Sequence, residues 1–245
     1  GGKPGLAFGS TQGNAGAHMT ATMPTILTGN PSFTLFVAVK TSGTQPEKIL
    51  HFGNSAGTAG QVLGVAKNGG YYFNGGGELT FPSVNFGGNI QVGVFRRKTS
   101  ATYADGEFFF NGTNQIGSAQ SGTSLPAIPS SGTREILVGA GRNGTATIAN
   151  QLGNAVIHEV MLFSGSLTDF AIRRMEGYLA HKWGSNSRLA SSHPFKTTQP
   201  LFGGSQSISL NPTNIPTDNS DGVPFMSIFD SAFDLEGAYA TSGLA

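Results

Sequence analysis

Few residues in this chain combine the type and the spacing that chemistry requires. Two pairs of acids stand one residue apart: Asp105 and Glu107 across Gly106, and Asp234 and Glu236 across Leu235. A retaining glycosidase sets two carboxylates about 5–5.5 Å apart across the scissile bond, so a close acid pair is the first thing to test. Asp105-Gly106 is also a turn signal, and a turn acid beside a strand-start acid is the expected pair of roles. Asp234 and Glu236 lie near the end of the chain, with Asp230 four residues before them. Two strings imitate catalytic motifs. Gly53-Asn54-Ser55-Ala56-Gly57 has the form G-x-S-x-G, whose serine works on a strained turn between a strand and a helix. Thr58–Ala66 follows it as loop and strand. Gly139-Ala140-Gly141-Arg142-Asn143-Gly144 has the form G-x-G-x-x-G, which must open a helix whose N-terminus receives pyrophosphate. Thr145–Asn150 has no helical period. With 37 Gly in 245 residues, both strings are expected as coincidences.

Metal and glycan chemistry leave thinner traces. The five His are scattered, without the paired spacing of a zinc site. Calcium takes oxygen ligands, for which Asp105, Asn111 and Asn143 on predicted loops are the candidates. Acids are few, and the expectation is no cofactor. Sugars are held by an exposed aromatic ring beside planar polar groups, and Tyr71-Tyr72-Phe73-Asn74 before a Gly run is the best such patch. Successive strand residues face opposite ways, so only one of Tyr71 and Tyr72 joins Asn74 in a given contact surface. Asn111-Gly112-Thr113 and Asn143-Gly144-Thr145 fit glycosylation sequons, but tight turns explain both without a sugar.

The elements that must position these residues are short strands. Charged residues make up 11% of the chain, against roughly 25% in an ordinary soluble domain, so the surface is kept polar by Ser, Thr, Asn and Gln. A formal net charge of +1 provides no field to gather nucleic acid or an anionic membrane. The longest apolar run, Phe33–Val39, is strand-sized and far below the ~20 residues of a spanning helix. There is no Cys, hence no disulfide framework. The chain opens on Gly1-Gly2, which suggests a processed or excised start.

Runs with strand character recur at Ser32–Lys40, Lys48–Phe52, Gln61–Ala66, Tyr71–Asn74, Asn89–Arg96, Glu107–Phe110, Glu135–Val138 and Val156–Phe163. Asn-Gly and Asp-Gly pairs punctuate them, as at Asn68-Gly69, Asn74-Gly75 and Asn111-Gly112. In Val156–Phe163, strict alternation puts Ile157, Glu159, Met161 and Phe163 on one face and Val156, His158, Val160 and Leu162 on the other. Apolar residues on both faces predict a strand covered on both sides.

One segment has a different period. Over Thr168–Trp183, Ile172, Met175, Leu179 and Trp183 recur at helical spacing. Thr168 suits the N-cap, Asp169 the first turn, His181 and Lys182 the last, and Gly184 the C-cap. Arg173, Arg174, His181 and Lys182 form a basic set whose simplest role is a solvated face. Trp183 closes the apolar stripe and is expected to plug the core. After Pro200 the composition turns to Gly and Pro, with an apolar cluster at Val223–Phe233. This tail, residues 201–245, is too small for a core of its own. Phe225, Met226, Ile228, Phe229 and Phe233 must find cover, either on the same molecule or on a second copy.

The stretch His158–Lys196, HEVMLFSGSLTDFAIRRMEGYLAHKWGSNSRLASSHPFK, resembles the closing part of laminin-G-like domains of the concanavalin A-like lectin/glucanase superfamily. Glu159–Phe163 matches the last core strand, Leu167–Gly184 the helix, and His193–Phe195 the closing HPF. Gly5–Phe8, Asn30–Lys40 and Phe109–Gly112 resemble earlier pieces, and the likeness spans Gly5 to Pro200. It implies a two-sheet antiparallel jelly-roll sandwich over residues 1–200, with one short C-terminal helix and an extended arm over 201–245. Glycosidases of this superfamily carry acid-x-acid-x-acid on one strand, which this chain lacks. Lectins, hydrolases and structural modules share the fold, so the function must come from the site.

The expectation is a non-catalytic surface or virion subunit for structure or adhesion. It self-associates through Phe225, Met226, Ile228, Phe229 and Phe233, and meets a glycan or a surface protein, with no nucleic acid and no membrane insertion. The expected location is extracellular, on a cell surface or virion. The alternatives are a monomeric carbohydrate-binding module using Tyr71 or Tyr72 with Asn74, and a divergent glycoside hydrolase using Asp105 and Glu107.

Overall fold

Phe33–Val39 carries apolar side chains at every position but Thr34, because the strand it forms is covered on both faces. The computed structural model describes residues 5–7, 18–29, 31–41, 47–54, 60–66, 69–74, 77–81, 86–98, 106–115, 118–121, 134–143, 145–149, 155–200 and 224–227. In chain order the strands are β1 (Leu6–Ala7), β2 (Met19–Thr22), β3 (Phe33–Thr41), β4 (Glu47–Asn54), β5 (Gly60–Ala66) and β6 (Gly69–Asn74). Then come β7 (Gly77–Phe81), β8 (Gln91–Arg97), β9 (Gly106–Phe110), β10 (Thr113–Gln115), β11 (Ser118–Ser121) and β12 (Arg134–Val138). The last are β13 (Gly141–Asn143), β14 (Thr145–Ala149), β15 (Ala155–Ser164) and, after helix α1 (Asp169–Trp183), β16 (Pro224–Ser227).

Two antiparallel sheets result, a jelly-roll sandwich with one helix on its outside. The first sheet runs β1-β15-β3-β8-β9-β10, and β16 also pairs with β15. The second runs β11-β7-β6-β5-β4-β12-β2, while β13 and β14 form a separate hairpin. All eight strand runs read from the sequence are strands. β2, β7, β10, β11, β13 and β14, too short or too polar to stand out by pattern, take their places through pairing.

The core between the sheets is built from alternate residues. Phe33, Leu35, Val37 and Val39 of β3 meet Phe52 of β4 and Ile136 and Val138 of β12. Phe33 and Phe52 bridge the sheets edge to face at 4.9 Å between ring centroids, and Phe81 stacks on Phe108 at 5.0 Å. The other face of the first sheet offers Phe36, Ala38, Val92, Val94, Phe109, Met161 and Phe163. Onto this face α1 lays Ile172, Met175, Leu179 and Trp183, the stripe the periodicity predicts.

Both helix ends follow the local sequence. The Thr168 hydroxyl accepts from the Ala171 N–H as N-cap. Gly184 closes the helix at φ 72°, left-handed backbone that favours glycine. Its N–H reaches the carbonyls of Ala180 and His181, and the Ser185 N–H donates to Ala180 at 2.7 Å. The Asn111-Gly112 turn joins β9 to β10 with φ positive at both residues, 49° and 86°, as a two-residue hairpin of this kind demands.

β15 departs from strict alternation. Ile157 pairs with Val39 but Glu159 pairs with Ala38, so His158 is the extra residue of a β-bulge. Such a bulge shifts the phase of the strand by one residue. Ala155 and Ile157 before it, and Val160 and Leu162 after it, therefore all face the inter-sheet core. Met161 and Phe163 face the helix. The sequence reading had grouped Ile157 with Met161 and Phe163, and His158 with Val160 and Leu162. The bulge separates both groupings.

Candidate ligand-binding cavity

The bulged His158 lies where α1 ends, and a cavity of about 380 Å³ opens there, within the range of roughly 300–1,000 Å³ usual for small-molecule sites. Four elements build it. β3 contributes Lys40, the residue that follows Ala38 on the helix-side face, beyond the reach of the helix. β15 contributes His158. The turn before β8 contributes Gly88, Asn89 and Ile90. The end of α1 and the 3₁₀ turn Asn186–Arg188 contribute Trp183, Gly184, Ser185, Ser187 and Arg188.

The wall formed by Trp183 and His158 is fixed. Both side chains are buried, and their ring centroids lie 5.2 Å apart. The Trp183 indole N–H donates to Glu159 Oε2 at 2.6 Å, and Lys182 Nζ donates to Oε1 of the same carboxylate at 3.3 Å. Lys182 Nζ also sits 5.5 Å from the Trp183 ring centroid. Glu159 is fully buried, so this pairing is what makes its charge tolerable inside the protein.

The rim is electrostatically open. Lys40, Asn89 and Arg188 are exposed, and among the described residues their side chains have no hydrogen-bond or ion-pair partner. The Ser185 hydroxyl is buried and unpaired. Among the described residues, no Asp or Glu lines the cavity.

Glu107 and Glu176, away from the cavity, are engaged by the fold. Glu107 accepts from Arg96 Nε at 2.6 Å and from Lys98 Nζ at 3.2 Å. Arg96 turns its other arm to the Leu167 carbonyl and to Asp169, at 2.7 Å each, and so ties the sheet to the first turn of α1. Glu176 is fully buried on α1, where its Oε1 accepts from the Gly112 N–H at 2.9 Å and its Oε2 lies 3.8 Å from His193 Nε2. Burial pushes the Glu176 carboxyl above its ordinary range, opposed by His193, the Gly112 N–H and Arg173. A side chain on Gly112 would collide with the His193 ring, so glycine is needed there for space as well as for its backbone.

The residues singled out from the sequence are placed as follows. Tyr71, Tyr72 and Asn74 lie on β6, inside the second sheet, with Tyr71 opposite Gly64 and Thr80, and Tyr72 opposite Leu63 and Leu79. The cavity borders the first sheet, so the structure does not bring the two together through a shared strand. Phe225 and Met226 lie on β16, where Met226 pairs with Leu162 and Ser227 with Met161. β16 and β1 share the edge of β15 not taken by β3. Ile228, Phe229 and Phe233 lie outside the described residues, as does Asp105. Asn111, weighed as a calcium ligand, spends its side chain internally: Oδ1 accepts from the Val92 N–H and Nδ2 donates to Gln91. Of the basic helix residues, His181 binds the Phe195 carbonyl and Lys182 binds Glu159, while Arg173 is exposed. Among the described residues, no three His, Asp or Glu side chains are grouped to hold a metal ion. No helix there is long and apolar enough to cross a membrane.

Lys40, Asn89, His158 and Arg188 escaped the sequence reading as a group because nothing local links them. One hint was available: a lysine ending an otherwise apolar strand, and a His-Glu pair inside another.

Protein-family models and curated proteins give no match to the chain. Solved structures do. A heptameric pentraxin from Limulus polyphemus is similar at 12% identity and TM-score 0.49, over 69% of this chain and 80% of that one. The CBM40 of a Ruminococcus gnavus IT-sialidase, bound to α2,3-sialyllactose, is similar at 14% identity and TM-score 0.49, over 69% and 94%. Botulinum neurotoxin type C is similar at 12% identity and TM-score 0.47, over 70% and 42%.

Proposed function

We propose that this chain is a non-catalytic, glycan-binding sandwich of the laminin-G-like type, carried outside the cell on a surface or virion protein. The observation that carries the proposal is the cavity beside the end of α1, whose rim holds polar groups unpaired among the described residues, beside a rigid aromatic wall. Sugar-binding sites need that combination, because a sugar presents hydroxyls at its edges and C–H groups on its faces. The described carboxylates favour binding over hydrolysis: Glu107, Glu159 and Glu176 are each occupied by internal donors. The expected result on an array of immobilised glycans is saturable binding without release of sugar. Sugar release lost in Glu107→Gln would establish a hydrolase instead.

A second reading concerns the arm, residues 201–245, and rests on the pairing of β16 with β15. Within one molecule this pairing covers a sheet edge, which soluble β proteins need. The same strand donated to a neighbouring copy would join subunits by strand addition. Light scattering on the full chain and on a form ending at Pro200, each checked for folding by circular dichroism, decides the matter. An assembled full chain with a monomeric truncation supports the arm as an assembly device. Two monomers leave it as an edge cover.

A further inference from the structure

We propose that the cavity beside the end of α1 selects acidic saccharides, binding an oxyanion (a carboxylate or sulfate) carried on a sugar ring; this builds on the glycan-binding reading above. The lining decides the sign of the ligand. Two permanent cations, Lys40 and Arg188, stand at the rim with no internal partner among the described residues. Among the described residues no acid lines the cavity, and Glu159, beside His158 in sequence, is taken by the Trp183 indole and Lys182. Among the described residues, nothing therefore neutralises the site. Arginine adds geometry, since its planar fork matches the paired oxygens of a carboxylate or sulfate.

The helix end works against an anion, because carbonyl dipoles leave partial negative charge at a C-terminus. Here that charge is reduced. The Gly184 and Ser185 N–H groups cover the last carbonyls, and His181 and Lys182 occupy the final turn. Two full positive charges at the rim outweigh what remains.

The other lining groups fit the sugar that carries the anion. Asn89 offers both a donor and an acceptor, as a vicinal pair of hydroxyls requires. Ser185 is 4% exposed and its hydroxyl has no partner, an arrangement that is costly until something polar reaches it. Ile90, half-buried, supplies apolar surface at the cavity, backed by the buried Trp183 and His158 rings. The bulge is what turns His158 toward Trp183, so the site depends on a backbone irregularity of the kind often found at functional positions.

The test exploits the fact that Trp183 is the sole tryptophan of the chain and lines the cavity. Its fluorescence, and its single indole N–H resonance, report on this place and no other. The full chain is titrated with glucuronate against glucose, with galactose 6-sulfate against galactose, and with inorganic sulfate. The expected result is that each acidic sugar perturbs Trp183 and binds about tenfold or more tightly than its neutral partner, with affinity falling as salt rises. Lys40→Ala and Arg188→Ala should each weaken the acidic sugars about tenfold, while Lys98→Ala, far along β8 and paired with Glu107, leaves them unchanged. Unaltered melting temperatures show that the variants fold. Neutral sugars binding as tightly as acidic ones, or acidic binding that survives the Lys40→Ala/Arg188→Ala double change, overturns the inference. So does sulfate alone binding as tightly as galactose 6-sulfate. In those cases glycan binding itself can stand. If no glycan binds on the array, the parent reading falls as well.

Discussion

The two faces of the first sheet are built on different principles. Toward the second sheet, Leu35, Val37, Val39, Ile157, Val160 and Leu162 meet other apolar side chains, and shape alone places them. Toward α1, apolar contacts are interrupted by buried polar locks: Arg96 with Glu107 and Asp169, Glu159 with Trp183 and Lys182, and Glu176 with Gly112. A sheet packed on a sheet is aligned by its many strands. A single helix on a flat apolar surface can slide or rotate, and specific polar contacts fix where it stops. The cavity lies beyond the last of these locks, where the helix has ended and β3 continues to Lys40.

The largest effect that separates the faces should come from Trp183→Ala. Truncating a buried tryptophan typically costs about 3–5 kcal/mol, and here it also strips Glu159 of its shortest hydrogen bond. Adding Glu159→Gln to that variant should recover about 1–3 kcal/mol in urea unfolding, because the stranded charge is gone. Leu35→Ala on the inner face should cost about 2–5 kcal/mol with no such rescue. Strict additivity of the Trp183 and Glu159 changes would erase the contrast.

The next effect depends on pH. Glu176 has its carboxyl pushed up by burial, so the folded state holds a proton that the unfolded state has released. Its contribution to stability is complete below the ordinary carboxylate value, about 4.3, and is lost as pH climbs through the raised folded value. Glu176→Gln keeps an acceptor for the Gly112 N–H without the charge. Relative to wild type it should gain stability as pH rises above the ordinary carboxylate value, until the raised folded value is passed. A constant offset between the two urea midpoints across that range would show that Glu176 does not titrate there.

Smaller still is Thr168→Ala, which removes the N-cap acceptor of α1 and should cost about 1 kcal/mol. Smallest are Lys40→Ala and Arg188→Ala, exposed and without partners among the described residues, which should shift stability by about 0.5 kcal/mol or less. A large loss there would mean that these residues belong to the locks.

Much of the molecule is decided locally. The helix can be read from Thr168 through Gly184, because caps, first-turn acid, last-turn bases and the Ile172–Trp183 stripe all act within a few residues. The major strands are equally legible from their alternation, and so is the Asn111-Gly112 hairpin, because positive φ at both residues selects those types. Trp183 as a core plug follows from the end of the stripe, although its bond to Glu159 does not.

What the sequence could not decide is what hydrogen-bond register decides. The bulge at His158 is a feature of the pairing of β15 with β3, and no pattern inside Val156–Phe163 announces the slipped residue. That slip reverses which side chains face the helix, and it brings His158 against Trp183. Lys40, Asn89, His158 and Arg188 are brought to one cavity by the pairing of β3 with β15 and β8 and by the docking of α1. Alternation and capping are properties of neighbours along the chain, whereas a site assembled from four separate elements is a property of the packed fold.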